Sequence, residues 1–93
     1  MFTTPRPNLY VSDEGFSVEV LGLTGLCYRE GERSVFVDSK VLAGPSGMGV
    51  FKSRIQRWDP PHENVAVTDS ERDRIVENIR RAFRFQGFEI DVI

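Results

Sequence analysis

The feature that most constrains this chain is a single well-bounded helix near its end. Thr68, Asp69, Ser70 and Glu71 form a capping box, in which the Thr68 hydroxyl accepts from the third helical amide and Glu71 reaches back to the cap amide. Ile75, Ile79, Ala82, Phe83 and Gln86 then recur at helical spacing, with Val76 beside them, and Gly87 supplies the C-terminal stop. Asp69, Glu71 and Asp73 lie in the first turns, while Arg80, Arg81 and Arg84 lie near the end, which suits the helix dipole. Ahead of this helix the chain reads as strands joined by turns and loops, behind an N-terminal arm.

Phe16 to Val20 alternates apolar and polar residues, the pattern of a half-buried strand. Leu26 to Glu30 and Arg33 to Lys40 form two more strands around Glu30, Gly31 and Glu32, where Gly31 can take positive φ. A glycine-rich loop runs from Ala43 to Gly49. Alternation from Val50 to Gln56 reads as a fourth strand, stopped by Pro60 and Pro61 because proline donates nothing to a ladder. Phe88 to Ile93 closes the chain as a short strand. The expected fold is therefore α+β: an antiparallel sheet of four to five strands, in the order β-β-β-β-α-β, with one long helix packed on one face. Residues 1–12, with Pro5 and Pro7, read as an extended or flexible N-terminal arm, and residues 13–93 as a single α+β domain.

At 93 residues the chain has length for one modest core. Its formal charge of −2 makes sequence-blind coating of nucleic acid an unpromising role, since that needs a strong positive field. One cysteine, Cys27, excludes an internal disulfide, and with one histidine, His62, the usual structural zinc ligands are lacking. No apolar run approaches the ~20 residues of a membrane span. The first ten residues lack a basic segment followed by an apolar one, so the expectation is a cytoplasmic chain without a secretory leader.

The search for catalytic groups finds little. Ser46 lies in a glycine-rich stretch, but a nucleophile elbow needs glycine where Met48 stands. Gly47 to Gly49 lacks the lysine and following helix of a phosphate loop. His62 reads as a loop polar residue, and Cys27 as a small strand hydrophobe. The expectation is no enzyme activity, no cofactor and no metal. Two basic groupings remain. Arg80, Arg81 and Arg84 beside Phe83 and Phe85 suggest a nucleic-acid-binding regulator, although helical geometry turns Phe83 to the core and the arginines outward. Arg54 and Arg57 adjoin Trp58, Asp59, His62 and Glu63 around the rigid proline pair. Arginine and tryptophan are favoured anchors of protein interfaces, so these six residues are the candidate partner surface. The simpler role for Trp58 is to cover the end of the sheet as a core residue.

The same residues carry a resemblance. Tyr28, Gly31 and Arg33 precede a valine-rich strand; Ser53, Ile55, Trp58 and Pro61 follow; then comes a helix with Arg72, Ile75, Asn78, Ile79 and Ala82, closed by Gly87. This order is similar to a short family of immunity proteins from bacterial polymorphic toxin systems, catalogued as immunity protein seventy-four. The resemblance spans about residues 26–92 and is most specific from Ile55 to Pro61 and around Asn78. It implies a cytosolic antidote that binds a sibling toxin domain and blocks its active site or an essential surface, without catalysis. Many toxins of such systems carry basic surfaces, which Asp13, Glu14, Glu30, Glu32, Asp59 and Glu63 would match. Asparagine is a poor helix former, so Asn78 is expected to hydrogen-bond the loop carrying Pro60 and Pro61.

Overall fold

The structure is a computed structural model that describes residues 1–42 and 46–93, the Ser46 side chain excepted. Among these residues there is one long helix, α1 (Asp69–Phe85), and seven strands: β1 (Phe2–Arg6), β2 (Leu9–Ser12), β3 (Phe16–Val20), β4 (Gly25–Glu30), β5 (Arg33–Val41), β6 (Ser46–Val50) and β7 (Glu89–Val92). The strands lie side by side in chain order in one curled sheet. The α+β class agrees with the sequence reading; the strand count and directions do not.

The central meander follows local rules. β3 pairs β4 with Val18 opposite Tyr28, and β4 pairs β5 with Leu26 opposite Val37 and Tyr28 opposite Val35. Each of these five side chains is no more than 2% exposed, so one face of the meander is core. The β4–β5 turn places Glu30 opposite Arg33, and Gly31 takes a φ of 59°, as the first residue of a tight hairpin turn can require. Helix α1 lays Ile75, Ile79 and Ala82, all at 0% exposure, against that face. Its capping box is formed as read: Glu71 N donates to Thr68 Oγ1 at 3.1 Å and Thr68 N donates to Glu71 Oε1 at 2.9 Å.

Three expectations are corrected. Residues 2–12 are extended, but as two paired strands: β1 pairs β2, and β2 pairs β3. Asn8 turns the chain with a φ of 67°, a conformation asparagine tolerates. Pro5 is accommodated because β1 is an edge strand. Phe2 fastens the hairpin to the core, its ring centroid 5.6 Å from that of Phe16 and 5.5 Å from that of Phe85.

The fourth strand lies earlier than the alternation suggests. β6 ends at Val50, and Lys52–Arg54 is a 3₁₀ turn, with Arg54 N donating to Phe51 O and Ile55 N to Lys52 O, each at 3.1 Å. The turn buries Ile55 completely without a strand to carry it. Finally, β7 pairs β6 in parallel, so the sheet is mixed rather than antiparallel. A chain that crosses the sheet by a helix returns to the end it left, and the next strand then runs the same way. The loop expected from Ala43 lies partly outside the described residues, as does the Ser46 side chain.

Candidate functional site

β6 pairs only the C-terminal end of β5, from Ser39 to Val41. The chain between β6 and α1 lines the rest of that edge. Phe51 N donates to Asp38 O at 3.0 Å, and Asp59 N donates to Ser34 O at 2.8 Å. The Asp59 carboxylate accepts from Phe36 N at 3.3 Å. Past the proline pair the chain doubles back. Arg57 bridges Ala66, Trp58 N donates to Val65 O at 3.3 Å, and Val67 N donates to Gln56 O at 2.9 Å. Residues 51–67 thus form an excursion with an outgoing leg, a tip at His62 and a return leg. Ile55, Trp58 and Val67 are buried beneath it.

The six residues of the expected partner surface all lie on this excursion. Arg54, Arg57 and Glu63 are exposed, and Asp59 and His62 are half-buried. The Arg54 guanidinium stacks over Phe51, 4.3 Å from the ring centroid, and lies 3.9 Å from Asp38 Oδ2. Trp58 is different. It is 1% exposed, so its indole belongs to the core, where Arg33 packs over it at 5.6 Å. The indole serves the surface from below, by fixing the backbone that presents Asp59.

His62 also forms one wall of a groove of about 610 Å³, with Tyr28, Glu30, Glu32, Arg33, Arg74 and Asn78 on the others. Strand alternation puts Leu26, Tyr28 and Glu30 on the helix-facing side of β4. The helix answers with Glu71, Arg74, Asn78 and Arg81, a stripe at spacings of three and four. Tyr28 Oη donates to Glu30 Oε1 at 2.6 Å, and Asn78 Nδ2 donates to Tyr28 Oη at 2.9 Å. Arg74 makes a two-pronged pair with Glu30, and Arg81 pairs with Glu14. Arg33 Nη1 lies 3.5 Å from Glu71 Oε2.

The electrostatics follow from these contacts. Burial raises the Tyr28 phenol far above its usual range, and the neighbouring Glu30 adds to the effect. The hydrogen bond from Arg81 holds Glu14 below the ordinary carboxylate value. Arg74 and Arg81 are correspondingly held in their charged forms by Glu30 and Glu14. Asn78 therefore bonds the Tyr28 hydroxyl, not the proline loop. The reason is register: Asn78 lies on the stripe that faces β4. The alternation of β4 and the 71–74–78–81 spacing could have located this network in the sequence.

The other candidates fall elsewhere. Arg80 pairs with Glu77, Arg81 with Glu14 and Arg84 with Glu89, so each arginine of the basic helix end sits on a carboxylate. Cys27 is half-buried on the helix-free face of β4, where burial pushes its thiol up and away from a reactive thiolate. Among the described residues no three His, Cys, Asp or Glu side chains are grouped to hold a metal ion. Among the described residues no helix is long and apolar enough to cross a membrane.

Among the described residues the fold is thus α+β with one long helix, and its most developed surface is a braced excursion beside a polar groove. A family model, Immunity protein 74, matches residues 21–93, and the chain belongs to that family. The match takes in β4 to β7, the excursion and the helix, and leaves out the β1–β2 hairpin and β3. No curated protein and no solved structure matches the chain.

Proposed function

We propose that this immunity-family protein is a non-catalytic, cytoplasmic antidote that binds a sibling toxin domain and blocks it by tight protein–protein contact. Membership of the Immunity protein 74 family carries the reading. The excursion is the proposed contact surface, presenting Arg54, Arg57, Asp59, His62 and Glu63, with Trp58 holding it in place. A standard interface takes about 800 Å² from each partner, so the groove rim at Glu30 and Glu32 would be covered along with the tip. Nanomolar binding corresponds to about −12 kcal/mol, and a surface already rigid before contact loses less conformational entropy on binding. Mixed charges at the rim act mainly on association rate and on the choice of partner.

A nucleic-acid-binding regulator using the basic helix end has less support, because Arg80, Arg81 and Arg84 are already ion-paired. The test is a tagged pull-down from the native cells, with and without nuclease. One stoichiometric protein that survives nuclease and high salt, and is released by Arg57→Glu with His62→Ala, is the expected result. Partners that disappear on nuclease treatment would overturn the reading.

A further inference from the structure

The neck of the excursion is closed by one side chain from the helix. Arg72 Nε donates to Ile55 O at 2.7 Å, and Arg72 Nη2 donates to Val67 O at 3.2 Å. Ile55 lies on the outgoing leg and Val67 ends the return leg. Arg72 Nη1 donates to Asp69 Oδ1 at 2.6 Å, which fixes the plane of the fork. The two carbonyls belong to residues of 0% and 4% exposure. A buried carbonyl without a donor is costly, so the guanidinium satisfies both legs at once. The helix that carries it is rigid: Ile75, Val76 and Ile79 lock the next turn into the core.

We infer that Arg72 is the positioning residue of the partner surface. It sets the spacing between the two legs, and so the pose in which Arg57, Asp59, His62 and Glu63 are presented. This rests on the excursion being the contact surface. The side chain need not touch the partner; it acts by keeping the excursion in one shape before binding. Lysine cannot replace it, since an ammonium lacks the planar fork that spans two carbonyls.

The experiment compares the whole chain with Arg72→Lys and Arg72→Ala. Lysine keeps the charge beside Asp69 and guards against a variant that simply fails to fold. Hydrogen exchange should speed by about tenfold or more at the amides of Trp58 and Val67, which close the two legs, while those of Val18 and Tyr28 hold their protection. The toxin domain recovered in the pull-down should dissociate about tenfold faster from Arg72→Lys, with little change in association. Unchanged exchange at the excursion, exchange that rises equally in β3 and β4, or an unchanged dissociation rate would each overturn the inference. Failure of the surface assignment looks different: Arg57→Glu and His62→Ala would then leave toxin binding intact, while Arg72→Lys still loosened the excursion.

Discussion

The β3–β5 meander and the 51–67 excursion lie edge to edge and are held by different means. The meander is held by ladder hydrogen bonds between strands joined by short turns, with apolar alternation fixing which face is core. The excursion has one β-bridge, between Arg57 and Ala66, and three buried apolar side chains. Its remaining order comes from a few scattered contacts with other elements: backbone bonds to Ser34 and Asp38 on the edge of β5, the Arg72 fork at the neck and the Arg33 guanidinium over Trp58. A ladder distributes its stability over many equivalent bonds. The excursion concentrates it in a few, which makes it a surface that single substitutions can reshape while the sheet persists.

The largest expected effect joins the two regions. Trp58→Ala removes the indole that seats the excursion on the sheet and should cost about 3–5 kcal/mol in chemical denaturation. A loss below about 1 kcal/mol would mean that the excursion is seated by its backbone alone.

Tyr28→Phe tests the polar link between meander and helix. It deprives Asn78 of its acceptor and Glu30 of a donor, and should cost about 1–2 kcal/mol. Asn78→Ala should cost about as much, and the double variant less than the sum. Additive losses would show that the Tyr28–Asn78 bond carries no energy of its own. The pH dependence gives an independent reading. The folded chain keeps the Tyr28 proton where an unfolded tyrosine ionises, near pH 10. The unfolded state then binds fewer protons, so stability falls as pH rises above that point, by about 1.4 kcal/mol per unit. Tyr28→Phe should remove that slope from the melting curve.

Thr68→Ala opens the helix cap directly after the return leg and should cost about 1 kcal/mol in thermal or chemical unfolding. The smallest stability effects belong to the excursion's outer residues. Arg57→Ala and Glu63→Ala should stay within about 0.5 kcal/mol of the parent, because both are exposed. A larger loss in either would mean that the residue braces the excursion rather than presenting a contact.

Parts of this were legible in advance for a common reason. The helix is bounded by Thr68 and Glu71, three residues apart, and the β4–β5 hairpin by Gly31. Both rest on interactions between near neighbours, which a sequence displays directly. The six proposed partner residues lie on one excursion, and five of them are at least partly exposed. Trp58 is buried, as its simpler reading as a core residue expected, and that burial depends on Arg33 and the sheet edge, which lie far away in the chain. The strand expected from Val50 to Gln56 failed because period-two alternation also arises when a tight turn points Ile55 inward. The β1–β2 hairpin was hidden by Pro5, since prolines argue against a strand unless that strand proves to be an edge.

The sequence by itself determined the helix, the central meander and the family to which the chain belongs. The helix and the meander follow from capping, alternation and turn chemistry acting over a few residues, and the family from the ordered motif series between Tyr28 and Gly87. Tertiary structure decided that β7 runs parallel to β6, that Asn78 meets Tyr28 fifty positions away in the chain, and that Arg72 closes the neck of the excursion. Each of these is a contact between elements. Its partner is selected by how helix and sheet pack, and neighbouring residues carry no trace of that choice.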